Sequence, residues 1–163
     1  MIDAIDWKIL AELQQDGRLS ITDLAERVTL STSPAHRRLR ALESAGVISG
    51  YHAEVDLGLL GFGFESLLFV TMRVTDKPTI EAFEEAVKAV PEVLQAQRLF
   101  GDPDYLLRVV CRDLTAFQEL YDETISNIPG VGRLETTLVM KNVVSGRSLP
   151  LRPSGERNRP SGR

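Results

Sequence analysis

Residues 18–51, RLSITDLAERVTLSTSPAHRRLRALESAGVISGY, decide the fold of this chain. They read as two short helices joined by a tight turn and followed by a short strand. Ser20 caps the first helix, with Asp23 three residues on as the partner of a capping-box-like pair. Ile21, Leu24, Ala25 and Val28 fall at i, i+3, i+4 and i+7, one apolar stripe of a helix. Thr29-Leu30 is long enough only for a turn. Ser31 or Ser33 caps the second helix, and Pro34 is tolerated because first-turn N–H groups have no intrahelical partner. Leu39 and Leu42 point inward. His36, Arg37, Arg38 and Arg40 are not needed for that packing and are free to face outward. Gly46 stands where a left-handed residue ends a helix.

A capped helix, a tight turn and a second helix with an Arg-rich face make a helix-turn-helix arrangement, which lets the second helix enter a DNA major groove. A planar guanidinium binds a phosphate, or the O6/N7 edge of guanine, bidentately. Ser31, Ser33, His36, Arg37, Arg38 and Arg40 are therefore the candidate DNA contacts. The alternative for Arg38 is a place inside the fold, packing or pairing with Glu43. The alternative for the whole stretch is a helical hairpin with a solvated basic face.

Working outward, Met1 to Gly17 reads as a leading helix. Asp3 caps it, Asp6 suits its dipole, and Ile2 and Trp7 are placed as a hydrophobic staple. Ile9, Leu10 and Leu13 continue the buried stripe, and Trp7 is expected as a core anchor. His52 to Phe64 is a connector in which Val55 and Leu57 suggest a strand before Gly58, Gly61 and Gly63 break regular structure. Beyond it the pattern changes. Leu67–Val74 is a strand, Asp76 onward a helix ended by Pro91, Val93–Phe100 a strand, Gly101–Asp104 a turn and Tyr105–Arg112 a strand. A helix then begins at Asp113 or Thr115 and carries Phe117, Leu120, Tyr121, Ile125 and Ile128 inward. Leu134–Val144 is the last strand. Val87, Val90, Pro91 and Val93 recur, 38 residues on, as Ile125, Ile128, Pro129 and Val131.

The fold class expected is therefore α+β. A three-helix, winged-type helix-turn-helix domain spans residues 1–51 and a connector spans 52–64. A ferredoxin-like βαββαβ sandwich spans 65–145, and a disordered basic tail spans 146–163. Both helices cover one sheet face, so the strands' second apolar face predicts a dimer.

Composition bounds the chemistry. The 163 residues are 43% hydrophobic and 26% charged, ordinary for a soluble protein. The formal net charge is −4, yet Ser31–Leu42 holds three arginines and no acid, and Gly146–Arg163 five arginines and one acid. A basic face on an acidic body favours one docking orientation on a polyanion and makes binding salt-dependent. Cys111 is alone, and His36 and His52 are the only histidines. Neither a disulfide, a metal cluster nor a cofactor is expected. The absence of a signal peptide or long apolar run makes the cytoplasm the expected location, with no membrane partner.

Several fragments occur together and in order: Ile2-Asp3 with Asp6, Ile9-Leu10, Gly17-Arg18-Leu19-Ser20, Leu24-Ala25, Leu30-Ser31, Arg38, Leu42-Glu43, Gly46, Ile48 and Gly50-Tyr51. Gly101-Asp102-Pro103-Asp104-Tyr105 and Pro129-Gly130-Val131 follow. In these the chain resembles the Lrp/AsnC family of feast/famine transcriptional regulators, from Ile2 to Val144. The resemblance implies dimers through the C-terminal sheets, often assembled to octamers. It also implies an effector, an amino acid or related small molecule, bound between dimers. The pocket it implies uses Gly101, Asp102 and Asp104, the helix start at Leu114, and the last strand at Thr136, Thr137, Leu138 and Val139. Asp104 suits an α-ammonium, although Asp102 and Asp104 would equally serve to cap a turn.

Two departures stand out. Thr29 replaces a frequent turn glycine, and a left-handed Thr costs on the order of 1 kcal/mol, which argues for a differently built turn. Leu134 precedes Thr136 where Thr-x-Thr is frequent, removing one hydroxyl from the pocket. The expected function is sequence-specific, effector-modulated transcriptional regulation rather than catalysis. Some proteins resembling the family decarboxylate tetrapyrroles, the enzymatic alternative, but two histidines are little to build that site from. A protein-binding helical domain is the third reading.

Overall fold

The computed structural model describes residues 2–151. They divide into two compact units, residues up to Glu54 with those from Val144 onward, and Val55–Val143.

The first unit holds α1 (Ala4–Gln15), α2 (Ile21–Arg27) and α3 (Thr32–Ser44). Ile9, Leu24, Val28 and Leu42 form its core, with Leu13, Leu30, Leu39 and Ile48 packed around them. Trp7, expected as an anchor here, is only partly buried, and its shielded Nε1–H has no acceptor among the described residues. The full reciprocal capping box forms at α1, between Asp3 and Asp6. At α2, Ser20 accepts from Asp23 N at 3.1 Å and donates to its carboxylate at 2.6 Å. Ser31 occupies the N-cap of α3 without a side-chain bond, and Ser33 lies inside the helix.

The ends of α2 and α3 are closed alike. Leu30 N donates to Ala25 O and Thr29 N to Glu26 O, at 2.8 and 3.1 Å. Val47 N donates to Leu42 O and Gly46 N to Glu43 O, each at 3.0 Å. Both are Schellman closures, which place one residue in the left-handed region. Gly46 holds that place in α3 at φ 69°, and Thr29 holds it in α2 at φ 60°. The α2–α3 turn is thus left-handed at Thr29 despite the strain.

Two strands expected between Val47 and Leu57 do not form. Val47–Tyr51 finds no strand to pair with among the described residues. Around Val55 and Leu57 the sequence carries helix-turn signals that outweigh the β-branched residue. Asp56 Oδ1 accepts from Leu59 N at 3.0 Å. Phe62 N then donates to Leu57 O at 2.8 Å and Gly61 N to Gly58 O at 3.0 Å, with Gly61 at φ 83°.

The second unit is β1 (Phe64–Met72), α4 (Lys77–Lys88), β2 (Val93–Arg98), β3 (Tyr105–Cys111), α5 (Leu114–Glu123), a 3₁₀ turn (Ile125–Asn127) and β4 (Val131–Leu138). The antiparallel sheet has the order β2-β3-β1-β4, the ferredoxin-like arrangement expected. Leu68, Val70, Leu107 and Val109 face Phe83, Val87, Phe117 and Ile125 in the core. Asp76 and Asp113 cap the helices through Thr79 N and Ala116 N. Several boundaries differ from expectation: β1 runs Phe64–Met72 rather than Leu67–Val74, β2 stops at Arg98 rather than Phe100, β3 stops at Cys111 rather than Arg112, and β4 opens at Val131 rather than Leu134. α5 stops at Glu123, and Ile125 reaches the core from the 3₁₀ turn instead. β4 runs Val131–Leu138, not to Val144, because its partner β1 ends: Leu138 lies opposite Ser66 and Val139 N makes the last bond, to Glu65 O.

The open face of the sheet is apolar only along its centre. Leu67, Phe69, Leu106 and Val110 alternate with the core residues, while Gln95 and Gln97 on β2 and Arg133 and Glu135 on β4 flank them. Arg108 crosses this face to Glu65 at 2.6 Å. The disordered-tail reading falls largely on residues beyond Leu151, outside the described ones. Gly146–Leu151 forms neither helix nor strand, and Ser148 Oγ and Leu149 N bond Gln14 at 3.1 and 2.7 Å.

Candidate functional site

On α3, Ser33, His36, Arg37 and Arg40 are exposed along one polar face, opposite the face that buries Ala35 and Leu42, while Ser31 is exposed at the N-cap and Thr32, Ala41 and Ser44 are exposed as well. Arg40 leans on Glu43 at 3.3 Å with its side chain 70% exposed, a surface pair weak enough to be exchanged for a phosphate. Tyr51 Oη donates to the other oxygen of Glu43 at 3.1 Å. Burial, then Glu43, pushes the Tyr51 phenol up.

Arg38 differs from its neighbours. It pairs not with Glu43 but with α1, its Nη1 lying 2.7 Å from Asp3 Oδ2 and 2.8 Å from Asp6 Oδ1. The backbone N–H of Asp6, then Arg38, hold the Asp3 carboxyl below its ordinary value. The reading of Arg38 as a free outward cation is thereby corrected, and the alternative place within the fold holds, with Asp3 and Asp6 rather than Glu43 as its partners. Sequence reasoning treated Asp3 and Asp6 as helix caps and missed this second job. The signal was present in two acids sharing one capping box opposite a helix with three arginines.

The expected effector residues fall into separate groups. Gly101, at φ 146°, and Asp104 line a cavity of about 200 Å³ with Met72, Thr75, Arg98 and Phe100. Asp104 Oδ2 accepts from Met72 N at 2.7 Å, so one of its oxygens is committed to the backbone. Asp102 faces a different cavity, about 320 Å³, with Phe69, Thr71, Arg133 and Glu135. It accepts from Thr71 Oγ1 at 3.2 Å and lies 3.9 Å from Arg133. Leu114, exposed at the first turn of α5, follows Cys111, which pairs with Phe64 at the far end of β1. That is roughly 20 Å along the strand from the Gly101 loop. Thr136 and Thr137 lie opposite Leu68 and Leu67, and Leu138 and Val139 continue toward the Leu114 end. Leu134 lies opposite Val70 and packs on the core. One chain therefore does not gather the set into a single pocket. Among the described residues no His, Cys, Asp and Glu group has metal-site geometry, and no helix is long and apolar enough to cross a membrane.

Comparisons place these features in a family. Residues 2–49 match the winged helix-turn-helix DNA-binding family and residues 67–149 the Lrp/AsnC ligand binding domain. The Bkd operon transcriptional regulator of Pseudomonas aeruginosa is 38% identical over 92% of this chain and 98% of its own length. The leucine-responsive regulatory protein of Rhizobium meliloti is 37% identical over 87% and 91%. A transcriptional regulator of Neisseria meningitidis, crystallised with L-Met, superposes with a TM-score of 0.87 at 37% identity, covering 93% of this chain and 97% of that one. These relatives are regulators, which decides against the tetrapyrrole-decarboxylase alternative. With both halves of the chain matched in order, the protein belongs to the Lrp/AsnC family of DNA-binding transcriptional regulators.

Proposed function

We propose that this chain is a cytoplasmic regulator that reads its operator with α3 and responds to an amino acid bound beside the Gly101–Asp104 loop. The observation that carries the DNA reading is the contrast on α3: His36, Arg37 and Arg40 are exposed, with Ser31 and Ser33 at the helix start. The last two suit phosphate contacts and the cations suit base edges or phosphates. Two such helices in a dimer read half-sites one helical turn, or a multiple, apart. The dimer forms through the open sheet faces and assembles further to an octamer.

For the effector, an amino acid is supported by the L-Met complex of the Neisseria relative. The separation of Gly101, Asp102 and Asp104 from Leu114 and Thr136–Val139 supports a pocket completed by a second copy of the chain. Within it the loop supplies backbone N–H groups to a carboxylate and Asp104 its uncommitted oxygen to an ammonium.

The test is fluorescence anisotropy with DNA from upstream of the protein's own gene and a scrambled control, at two salt concentrations, with and without the common amino acids. Tighter binding to the native DNA that weakens with salt, and shifts with one amino acid, is the expected result. Equal binding to both DNAs removes sequence-specific reading of this region. Indifference to every amino acid removes the effector assignment.

A further inference from the structure

The Asp3–Asp6–Arg38 cluster does more than join two helices. Each carboxylate divides its oxygens between α1's own backbone and the arginine. Asp3 Oδ1 accepts from Ile5 N and Asp6 N at 2.9 and 3.0 Å, leaving Oδ2 for Arg38. Asp6 Oδ2 accepts from Asp3 N at 3.0 Å, leaving Oδ1 for the same Nη1. The capping box thus fixes the direction of both free oxygens, and Asp6 is the one charged residue buried among the described residues. A surface ion pair wanders; this one has both acceptors locked by backbone bonds.

The position on α3 matters as much. Arg38 follows His36 and Arg37 and precedes Arg40, all exposed. With side-chain tips roughly 5–6 Å from the helix axis, each 10° of helix rotation moves a tip by about 1 Å. A bidentate bond to a base edge does not survive such a displacement.

We propose that Arg38 is a positioning residue for DNA recognition rather than a DNA contact: clamped by Asp3 and Asp6, it fixes the rotation of α3 and so the directions in which His36, Arg37 and Arg40 leave it. The proposal rests on α3 being the reading helix.

The electrostatics provide a test with opposite signs. Removing an acid from a DNA-binding unit tightens its attraction to any phosphate backbone. Removing the clamp misaims the readers and loosens only the native site. Asp6→Asn, Asp3→Asn and Arg38→Gln are compared with the parent protein on native upstream and scrambled DNA at two salt concentrations. Circular dichroism confirms that each is folded at the assay temperature. Asp3→Asn guards against a folding failure, because Asn remains a good N-cap.

The expected result is a fall of about fivefold or more in the native-to-scrambled affinity ratio for all three, the least that one misread base pair carries. The salt slope stays unchanged. Asp6→Asn combined with Arg38→Gln loses little beyond either alone, since both break one device. If Arg38→Gln weakens both DNAs alike and lowers the slope by about one, while the Asp variants keep the ratio, Arg38 is a phosphate contact and the proposal falls. Variants with lowered melting temperatures and an unchanged ratio overturn it in favour of a purely structural bridge. A parent ratio of one removes the reading of α3 itself, and this role with it.

Discussion

Thr29 and Gly46 are the same residue of the same motif, one of them filled with the wrong amino acid. Both helix ends close with a pair of Schellman bonds around a left-handed residue near φ 60–69°. A β-branched side chain there costs on the order of 1 kcal/mol. Two closing bonds and the burial of Leu30 against the core outweigh that cost. Thr29→Gly is accordingly expected to stabilise the protein by about 0.5–1 kcal/mol, after some loss to the greater freedom of glycine in the unfolded chain. Urea unfolding checks this, with Gly46→Thr as the converse, losing a similar amount. Tyr105 offers a second residue-scale test. Its Oη donates to Glu84 at 2.8 Å, and burial first, then that carboxylate, push the phenol from 10.0 up to about 12. The folded value is the raised one, so the stabilisation is whole below pH 10 and lost as pH climbs through 12. Tyr105→Phe is expected to be about 1 kcal/mol less stable at pH 8, the loss of a hydrogen bond to a charged acceptor. The gap to the parent narrows above pH 10, where only the parent has the phenol to lose. Urea midpoints from pH 8 to 11.5 read this directly, and a constant gap would remove the assigned cause.

The elements show what one sequence can and cannot announce. The 38-residue repeat marks real equivalence: Val90 N–Val87 O and Val93 N–Val90 O are matched by Ile128 N–Ile125 O and Val131 N–Ile128 O. In both copies the first bond closes a helical turn, a proline follows, and the next strand opens at Val93 or Val131. Caps at Asp3 and Ser20 were legible for the same reason, since a short polar side chain before an apolar stripe acts locally, and the structure settles the helix start left open between Asp113 and Thr115 on Asp113. The end of β4 was not, because it is set by the end of β1, a partner far along the chain. The strand near Val55 was misread because Asp56 and Gly61 impose a helical turn on the residues between them. Arg38's partners escaped because an ion pair 32 residues apart has no periodicity. The exposed basic face of α3 was legible from its composition, whereas the scatter of Gly101, Asp102, Asp104, Leu114 and Thr136–Val139 became visible only in three dimensions. Gly132 gives the element-scale prediction. It lies beside the register shift at Thr71/Met72, and a Cβ there would stand 2.9 Å from Thr71 O and 3.0 Å from Arg73 N. Backbone atoms on both sides leave nothing flexible to yield. Gly132→Ala is expected to destabilise by about 1–3 kcal/mol, seen as a lower urea midpoint.

For the molecule as a whole, the open sheet face is the surface on which the proposed dimer is tested. The residues of β1 that point away from the core are Glu65, Leu67, Phe69 and Thr71, and β3 adds Leu106 and Arg108, while Val110 on the same face is already buried within the chain. An apolar centre crossed by the Glu65–Arg108 pair and flanked by Arg133 and Glu135 on β4 and by Gln95 and Gln97 on β2 fits the anatomy of an interface, with polar groups at the rim. A two-fold axis through it would set each patch against its own copy. Phe69→Glu probes this without touching the core, because Leu68 and Val70, not Phe69, face the helices. A carboxylate placed there would lie on the axis side in both copies, unpaired and facing a like charge, and burying it costs far more than the aromatic contact contributed. The expected outcome is a chain with unchanged circular dichroism that sediments as a monomer at concentrations where the parent sediments as a dimer. Its affinity for a two-half-site operator falls toward that for one half-site, since the second contact is no longer intramolecular. Its affinity for a single half-site stays unchanged, because α3 belongs to the other compact unit. A variant that still sediments as a dimer would move the interface to another surface, and one that loses half-site binding as well would show that the sheet face serves more than assembly.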